Sequence, residues 1–174
     1  MPSTATPASP DTDISLQALA RRLAPQATPQ MQRELVQEME DLLAKYRLME
    51  QRFELPHGDV PGAVAAFIAG NYMALRDVDF PDQGFTALVA QMRALLAGRP
   101  HLVSGTPEQR QQVYQEMVIG GMQMALARDQ LRQQPNERAS AQLRQAAKAR
   151  LDEFLRMDTR QLRITEQGMA MQPG

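Results

Sequence analysis

Two glycine-bearing apolar stretches of more than ten residues carry no charge. One is "GAVAAFIAGNYMAL", Gly62 to Leu75, and the other is "MVIGGMQMALA", Met117 to Ala127. A membrane-spanning helix needs about 20 mostly apolar residues, and Asp59 and Arg76 bracket the first stretch too closely for that. Both therefore read as helices enclosed by other helices. In the first, Gly62, Ala66, Gly70 and Ala74 recur every four residues and share a face, while Val64, Phe67, Ile68 and Leu75 make the remainder apolar. A column of small residues lets a neighbouring backbone come close. Gly121 and Ala125 repeat the spacing in the second stretch. Glycine inside a helix costs roughly 1 kcal/mol relative to alanine, so Gly70, Gly120 and Gly121 imply a compensating contact. The expectation is that the two helices cross at the centre of the fold, with Ala66, Gly70, Gly121 and Ala125 at the crossing. Asn71 and Gln123 are then at least partly buried and need hydrogen-bond partners, each other among the candidates.

The surrounding sequence supplies helices to pack there. In "MQRELVQEMEDLLAKYRLMEQRF", residues Leu35, Met39, Leu42, Tyr46, Met49 and Phe53 step by four and three along one stripe, the mark of a long amphipathic helix. Pro29 suits its first turn, and "LPHGDVPG" stops it. A shorter helix, Ile14 to Leu23, precedes it. "DFPDQGFTALVAQMRALLAG" offers Asp79 as N-cap, Phe85, Leu88, Met92 and Leu95 as a buried stripe, and Gly98 as terminator. Thr106, Pro107 and Gln109 form a capping box that starts another helix. A last helix, from about Asn136 to Leu155, buries Ala139, Leu143, Ala147, Leu151 and Phe154. No run alternates with period two, and "QLRIT" is the one short extended piece, ahead of a terminal turn at Thr165 to Gly168. The fold class expected is all-α: a single-domain bundle of five to six helices over residues 13–169, between a flexible segment 1–12 and a flexible tail 170–174.

The totals exclude several functions. Nineteen Lys and Arg against 20 Asp and Glu provide no overall field for nucleic acid or an anionic membrane. Charge is uneven, with four basic and seven acidic residues from Met31 to Asp59 and nine and five from Arg128 to Arg163. On the last helix Arg144, Lys148 and Arg156 fall on one side, but Asp152 interrupts them and no aromatic lies among them to stack a base. Cysteine is absent, which removes disulfides, thiolate metal sites and cysteine nucleophiles together. "MPSTATPASPDTD" lacks the basic start and apolar run of a secretory signal. The compartment expected is periplasmic or extracellular if a leader has been removed, and cytoplasmic otherwise.

Reactive constellations are scarce. Glu54 and His57 match the Glu-x-x-His spacing of helical di-iron sites, but such sites need two copies and carboxylates from two more helices. Pro56 also breaks the helix between them, so His57 reads as a loop residue. His101 has Ser104 nearby, with no base and orienting group fixed by the sequence. Glu34, Glu38 and Asp41 share a face and read as solvent-exposed, with Asp41 and Lys45 a weak i,i+4 pair. Neither a cofactor nor a metal is expected.

At "AAFIAGNYMAL", "FTALVAQMRALL", "TPEQRQQVYQEMVIGGMQMALA" and "LRITEQGM" the chain resembles an uncharacterised bacterial family of small, often exported helical proteins. The likeness runs from Val60 to Met169. It implies a helical bundle, a bacterial source and export, and carries over no catalytic residues. The function expected is therefore non-catalytic, through binding another protein or a second copy of the chain. The stripe Leu35, Met39, Leu42, Tyr46 and Met49 is the candidate docking face, set against the commoner role of such a stripe, which is to complete the intramolecular bundle. The alternative is a carrier of a small apolar ligand or lipid, with Phe67, Met73, Met117 and Met124 lining a cavity between the central helices.

Overall fold

The structure is a computed structural model that describes residues 10–100 and 104–172, with the side chains of residues 10–15 set aside. Among the described residues six helices follow one another: α1 (Pro10–Leu23), α2 (Pro29–Arg52), α3 (Val60–Arg76), α4 (Asp82–Ala97), α5 (Pro107–Gln133) and α6 (Glu137–Leu155). A 3₁₀ turn (Thr159–Gln161) then leads into a hairpin of β1 (Leu162–Thr165) and β2 (Gly168–Met171). The chain is an all-α bundle with this one small sheet.

Local chemistry sets most helix starts. Thr28 accepts the Met31 N–H ahead of Pro29, Asp59 accepts the Gly62 N–H, and Asn136 accepts the Ala139 N–H. Thr106 and Gln109 form the reciprocal capping box, at 3.2 and 2.9 Å. Each satisfies an N–H that the first turn leaves without an intrahelical partner. Asp79 departs from expectation. Helix α4 begins at Asp82, its N-cap is Pro81 without a side-chain bond, and the Asp79 carboxylate turns instead to Arg128 and Arg132.

Helix α3 is the hub, buried at every residue from Gly62 to Tyr72. It packs most extensively on α5, then on α6 and α4, while α2 lies on α1 and α5. At the crossing, a Cβ placed on Gly70 would lie 2.6 Å from the carbonyl carbon of Gly121, and closer still to its oxygen. A Cβ on Gly121 would lie 2.7 Å from the carbonyl carbon of Ala66. Backbone cannot yield as a side chain does, so only glycine permits this approach. The pairing is asymmetric in burial. Gly121, Val118, Ile119 and Met124 are buried, whereas Met117, Gly120, Met122, Gln123, Ala125, Leu126 and Ala127 are half-buried. Asn71, fully buried, donates to its own helix at Phe67 O over 2.9 Å rather than to Gln123. The i−4 carbonyl takes the amide N–H, while the buried Asn71 Oδ1 has no protein partner.

Several boundaries differ from the sequence reading. Helix α1 begins at Pro10, so residues 10–12 are helical, and residues 1–9 lie outside the described residues. Leu95 (44% exposed) and Phe154 (38%) face outward, and Leu96 fills the core position instead. In α6 only Ala147 and Leu151 are buried, because α6 covers α3 from one side and leaves a narrow stripe in contact. The extended piece is paired: Leu162 faces Met171 and Thr165 faces Gly168. The pairing holds residues 170 and 171 in strand, and residues 173–174 lie outside the described residues. The turn closes through Gly168 at φ +101°, a region closed to L side chains at little cost. The hairpin is held by polar side chains. Gln91 of α4 donates to Met169 O and accepts the Met169 N–H, at 3.1 and 2.7 Å, standing where a third strand would pair. Arg76 donates to Arg160 O and Leu162 O. Edge groups occupied in this way are closed to a foreign strand.

Gly70→Ala should destabilise the fold by about 3 kcal/mol, the upper range for forcing extra atoms into a packed core. A Cβ on Gly98 would meet nothing nearer than 3.6 Å, so Gly98→Ala should stay within about 0.5 kcal/mol of wild type. Urea unfolding of the two variants makes the comparison, and equal losses would contradict a backbone crossing.

Candidate functional site

Three features stand out around the α3–α5 pair. The first is a cleft of about 260 Å³ over the crossing itself, walled by α2, α3, α4 and α5. Ala66, Ala69, Gly70, Gly121 and Ala125 form its small-residue floor, and Met49, Met73, Met122, Phe53, Phe80 and Phe85 its sides. The cleft exists because two columns of small residues face each other without filling the angle between the helices. Its rings are fixed, with Phe53 and Phe85 centroids 4.7 Å apart. Methionine is the adaptable element. Only Arg52 and Asp82 bring charge. They pair with each other, both side chains more than half exposed, and the Arg52 guanidinium lies 5.4 Å from the Phe53 ring centre.

The second feature is a buried carboxylate. Glu50 is 2% exposed. Its Oε1 accepts from Tyr114 Oη (2.8 Å) and contacts His57 Nδ1 (3.1 Å), and its Oε2 accepts the Gly58 N–H (3.0 Å). These contacts repay the desolvation that an isolated buried carboxylate would suffer. Burial, then the Glu50 carboxylate, push the Tyr114 hydroxyl far above the usual tyrosine range, so it stays a donor. Tyr46, fully buried, is pushed up by burial first, then by Glu50 and Asp59. The His57 ring is 63% exposed, and its loop is tied down by Glu50.

The third feature is a guanidinium cluster. Arg128 is 4% exposed. Its Nε donates to Asp77 (3.1 Å) and its Nη1 to Asp79 (2.8 Å) and Asp129 (3.1 Å), while Arg132 bonds the same Asp77 and Asp79. Hydrogen bonds from Arg128 first, then Arg132, hold the Asp77 carboxyl below its ordinary 3.8. The Asp79 carboxyl is lowered chiefly by Arg128.

The residues singled out in the sequence fall into these features unevenly. Ala66, Gly70, Gly121 and Ala125 meet at the cleft floor. The α2 stripe does not face outward. Met39 and Tyr46 are fully buried, Leu42 is 2% exposed, and Leu35 and Met49 are half-buried against the same core. The stripe thus packs chiefly inside the bundle, the alternative to a docking face, and Met49 reaches the side of the cleft. The apolar-ligand set is dispersed as well. Met73 alone lines the cleft; Phe67 stacks on Phe154 with centroids 5.0 Å apart, Met124 packs with Ala74 and Ala147, and Met117 flanks the main core. His57 is a loop residue, and His101 lies outside the described residues. Glu34, Glu38 and Asp41 are exposed, and Asp41 accepts from Gln37 at 3.1 Å. Lys148 pairs with Asp152.

Sequence reasoning missed Glu50 and Arg128. Glu50 stands four residues after Tyr46, on the side of α2 that turns inward, and a carboxylate at that position was the available signal. The signal for Arg128 was weaker, the first charge after an uncharged helical run.

The fold and its sites define an all-helical domain with an apolar cleft over a glycine crossing and two buried ionic anchors. The chain belongs to DUF6683, a family of unknown function whose pattern matches residues 2–172. That span takes in the N-terminal quarter, which the resemblance noted from the sequence had left aside. No curated protein and no solved structure matches the chain. No described helix is long and apolar enough to cross a membrane, and no group of three or more metal-ligating side chains occurs among the described residues.

Tyr114→Phe should cost about 2 kcal/mol, the worth of a hydrogen bond to a charged group, measured by chemical denaturation. Arg128→Met should also destabilise, and its deficit should depend on pH. Carboxyls lowered in the folded state contribute fully above their unfolded value near 3.8 and lose that contribution as pH falls through the folded value. The gap between wild type and Arg128→Met should be constant near neutrality and narrow as pH drops below about 4. A gap that widens in acid would refute the assignment.

Proposed function

We propose that this chain is a non-catalytic helical domain that acts by binding another protein, and that the partner anchors a bulky apolar side chain in the cleft over the α3–α5 crossing. The observation that carries the reading is the cleft itself: an apolar depression with a backbone floor, aromatic walls and adaptable methionines, on a rigid part of the bundle. Anchor pockets of this kind dominate the energetics of many interfaces.

Size separates this reading from the alternative of a small apolar ligand or lipid. Pockets for whole small molecules usually enclose about 300–1,000 Å³, and the cleft of about 260 Å³ falls just below that range. It fits one large side chain or two smaller ones. A larger groove between α1 and α2, about 600 Å³, mixes Pro25, Ala27, Pro29 and Val36 with polar and charged side chains such as Gln17, Arg21, Gln32 and Gln37, and has no aromatic or methionine wall. The resemblance found in the sequence supports a bacterial setting for the partner.

Ala125 lines the cleft and is half-buried, so Ala125→Phe should fill it from the floor while leaving the bundle folded. In affinity capture from the native organism, wild type should enrich a defined protein that Ala125→Phe loses at least tenfold, with unchanged circular dichroism. Equal enrichment by both forms would sink the proposal. A small apolar molecule retained by wild type and lost by the variant in native mass spectrometry would favour the carrier instead.

A further inference from the structure

We infer that the partner's anchor is an apolar side chain with a carboxylate beside it, and that the carboxylate takes Arg52 in exchange for Asp82. The inference rests on the cleft being the docking site. It comes from the charge pattern at the mouth. Every other lining residue is uncharged, so Arg52 and Asp82 are the only groups there that can select an occupant by charge.

The two are not equally committed. Arg52 is the last residue of α2, and its guanidinium lies near the face of Phe53, whose ring packs on Phe85. It is thus held over the apolar wall by contacts that persist whichever carboxylate it bonds. Asp82 is the first residue of α4, at a helix start that has no side-chain cap. There a carboxylate stays favourably placed by the positive end of the helix after Arg52 leaves it. Exposed ion pairs contribute little, so the exchange is nearly free for the protein, while an incoming carboxylate gains a preorganised guanidinium. A cationic anchor has the opposite experience, since Arg52 stays seated on Phe53 beside Asp82 and repels it. The chemistry that fits is therefore a Phe, Leu or Met side chain of a partner segment with an Asp, Glu or terminal carboxylate adjoining it.

The test uses N-acetylphenylalanine, which carries both groups, and N-acetylphenylalanine amide, which lacks the charge. Each is titrated into the full chain and followed by NMR at the Ala69, Ala125, Met73 and Met122 methyls. The acid should bind about fivefold tighter than the amide, roughly 1 kcal/mol. Arg52→Gln should erase that difference, and Asp82→Asn should tighten the acid two- to threefold. Equal binding of acid and amide, unaffected by Arg52→Gln, would overturn the carboxylate inference and leave the cleft as a docking site. Absence of methyl shifts with both probes up to 20 mM, or shifts that persist in Ala125→Phe, would overturn the cleft as well. Decanoate binding more than a hundredfold tighter than N-acetylphenylalanine would assign the cleft to free acyl acids and overturn the protein segment as its occupant.

Discussion

Gly70 and Gly121 bring the backbones of α3 and α5 into direct contact, at a separation that no Cβ could enter. Such proximity multiplies weak dispersion contacts along both helices and offsets the conformational cost of glycine within them. It also sets the plan of the molecule. Once α3 is pressed on α5, the apolar sides that remain on α3 require α4 and α6, and the exposed side of α5 requires α2. The cleft follows from the same cause, because small residues that let the axes approach leave an open angle above the contact.

The buried ionic groups belong to this plan. Tyr114, near the start of α5, holds Glu50, and Glu50 holds the loop residues His57 and Gly58 that precede α3. Arg128, about 21 Å further along α5 at 1.5 Å per residue, holds Asp77 and Asp79 in the loop that follows α3. One helix thus fastens both ends of the other, with the glycine contact between the two anchors. The arrangement fixes α3 and α5 as parallel, with α4 returning between them in sequence. Carboxylates hold Nε and Nη1 of Arg128, and the Glu50 cluster ties down a loop.

Much of the architecture could be read from residue pattern. The uncharged runs, the four-residue spacing of small side chains and the Thr106–Gln109 capping box are local signals that tertiary structure had no reason to override. The failures share a cause, which is competition decided by distant residues. Asp79 is a plausible cap in isolation, yet Arg128 and Arg132 outbid the helix for its carboxylate. Leu95 and Phe154 fit an apolar stripe that the bundle does not fully cover. Sequence did not reveal the second strand of the hairpin because its stability comes from the Gln91 amide and Gly168 rather than from an alternating pattern. The cleft was half legible: its floor was in the glycine and alanine spacing, while Phe53, Phe80 and Phe85 arrive from α2, α4 and their flanking loops.

Amide hydrogen exchange tests the central contact most directly. If α3 and α5 are joined backbone to backbone in the dry middle of the bundle, the amides of Ala66 to Tyr72 and Val118 to Met124 should exchange slowest in the chain, and only through global unfolding. Their opening free energies should match the value from urea. Exchange in either segment that is faster than in the outer helices α2 and α6, with no dependence on denaturant, would contradict the account.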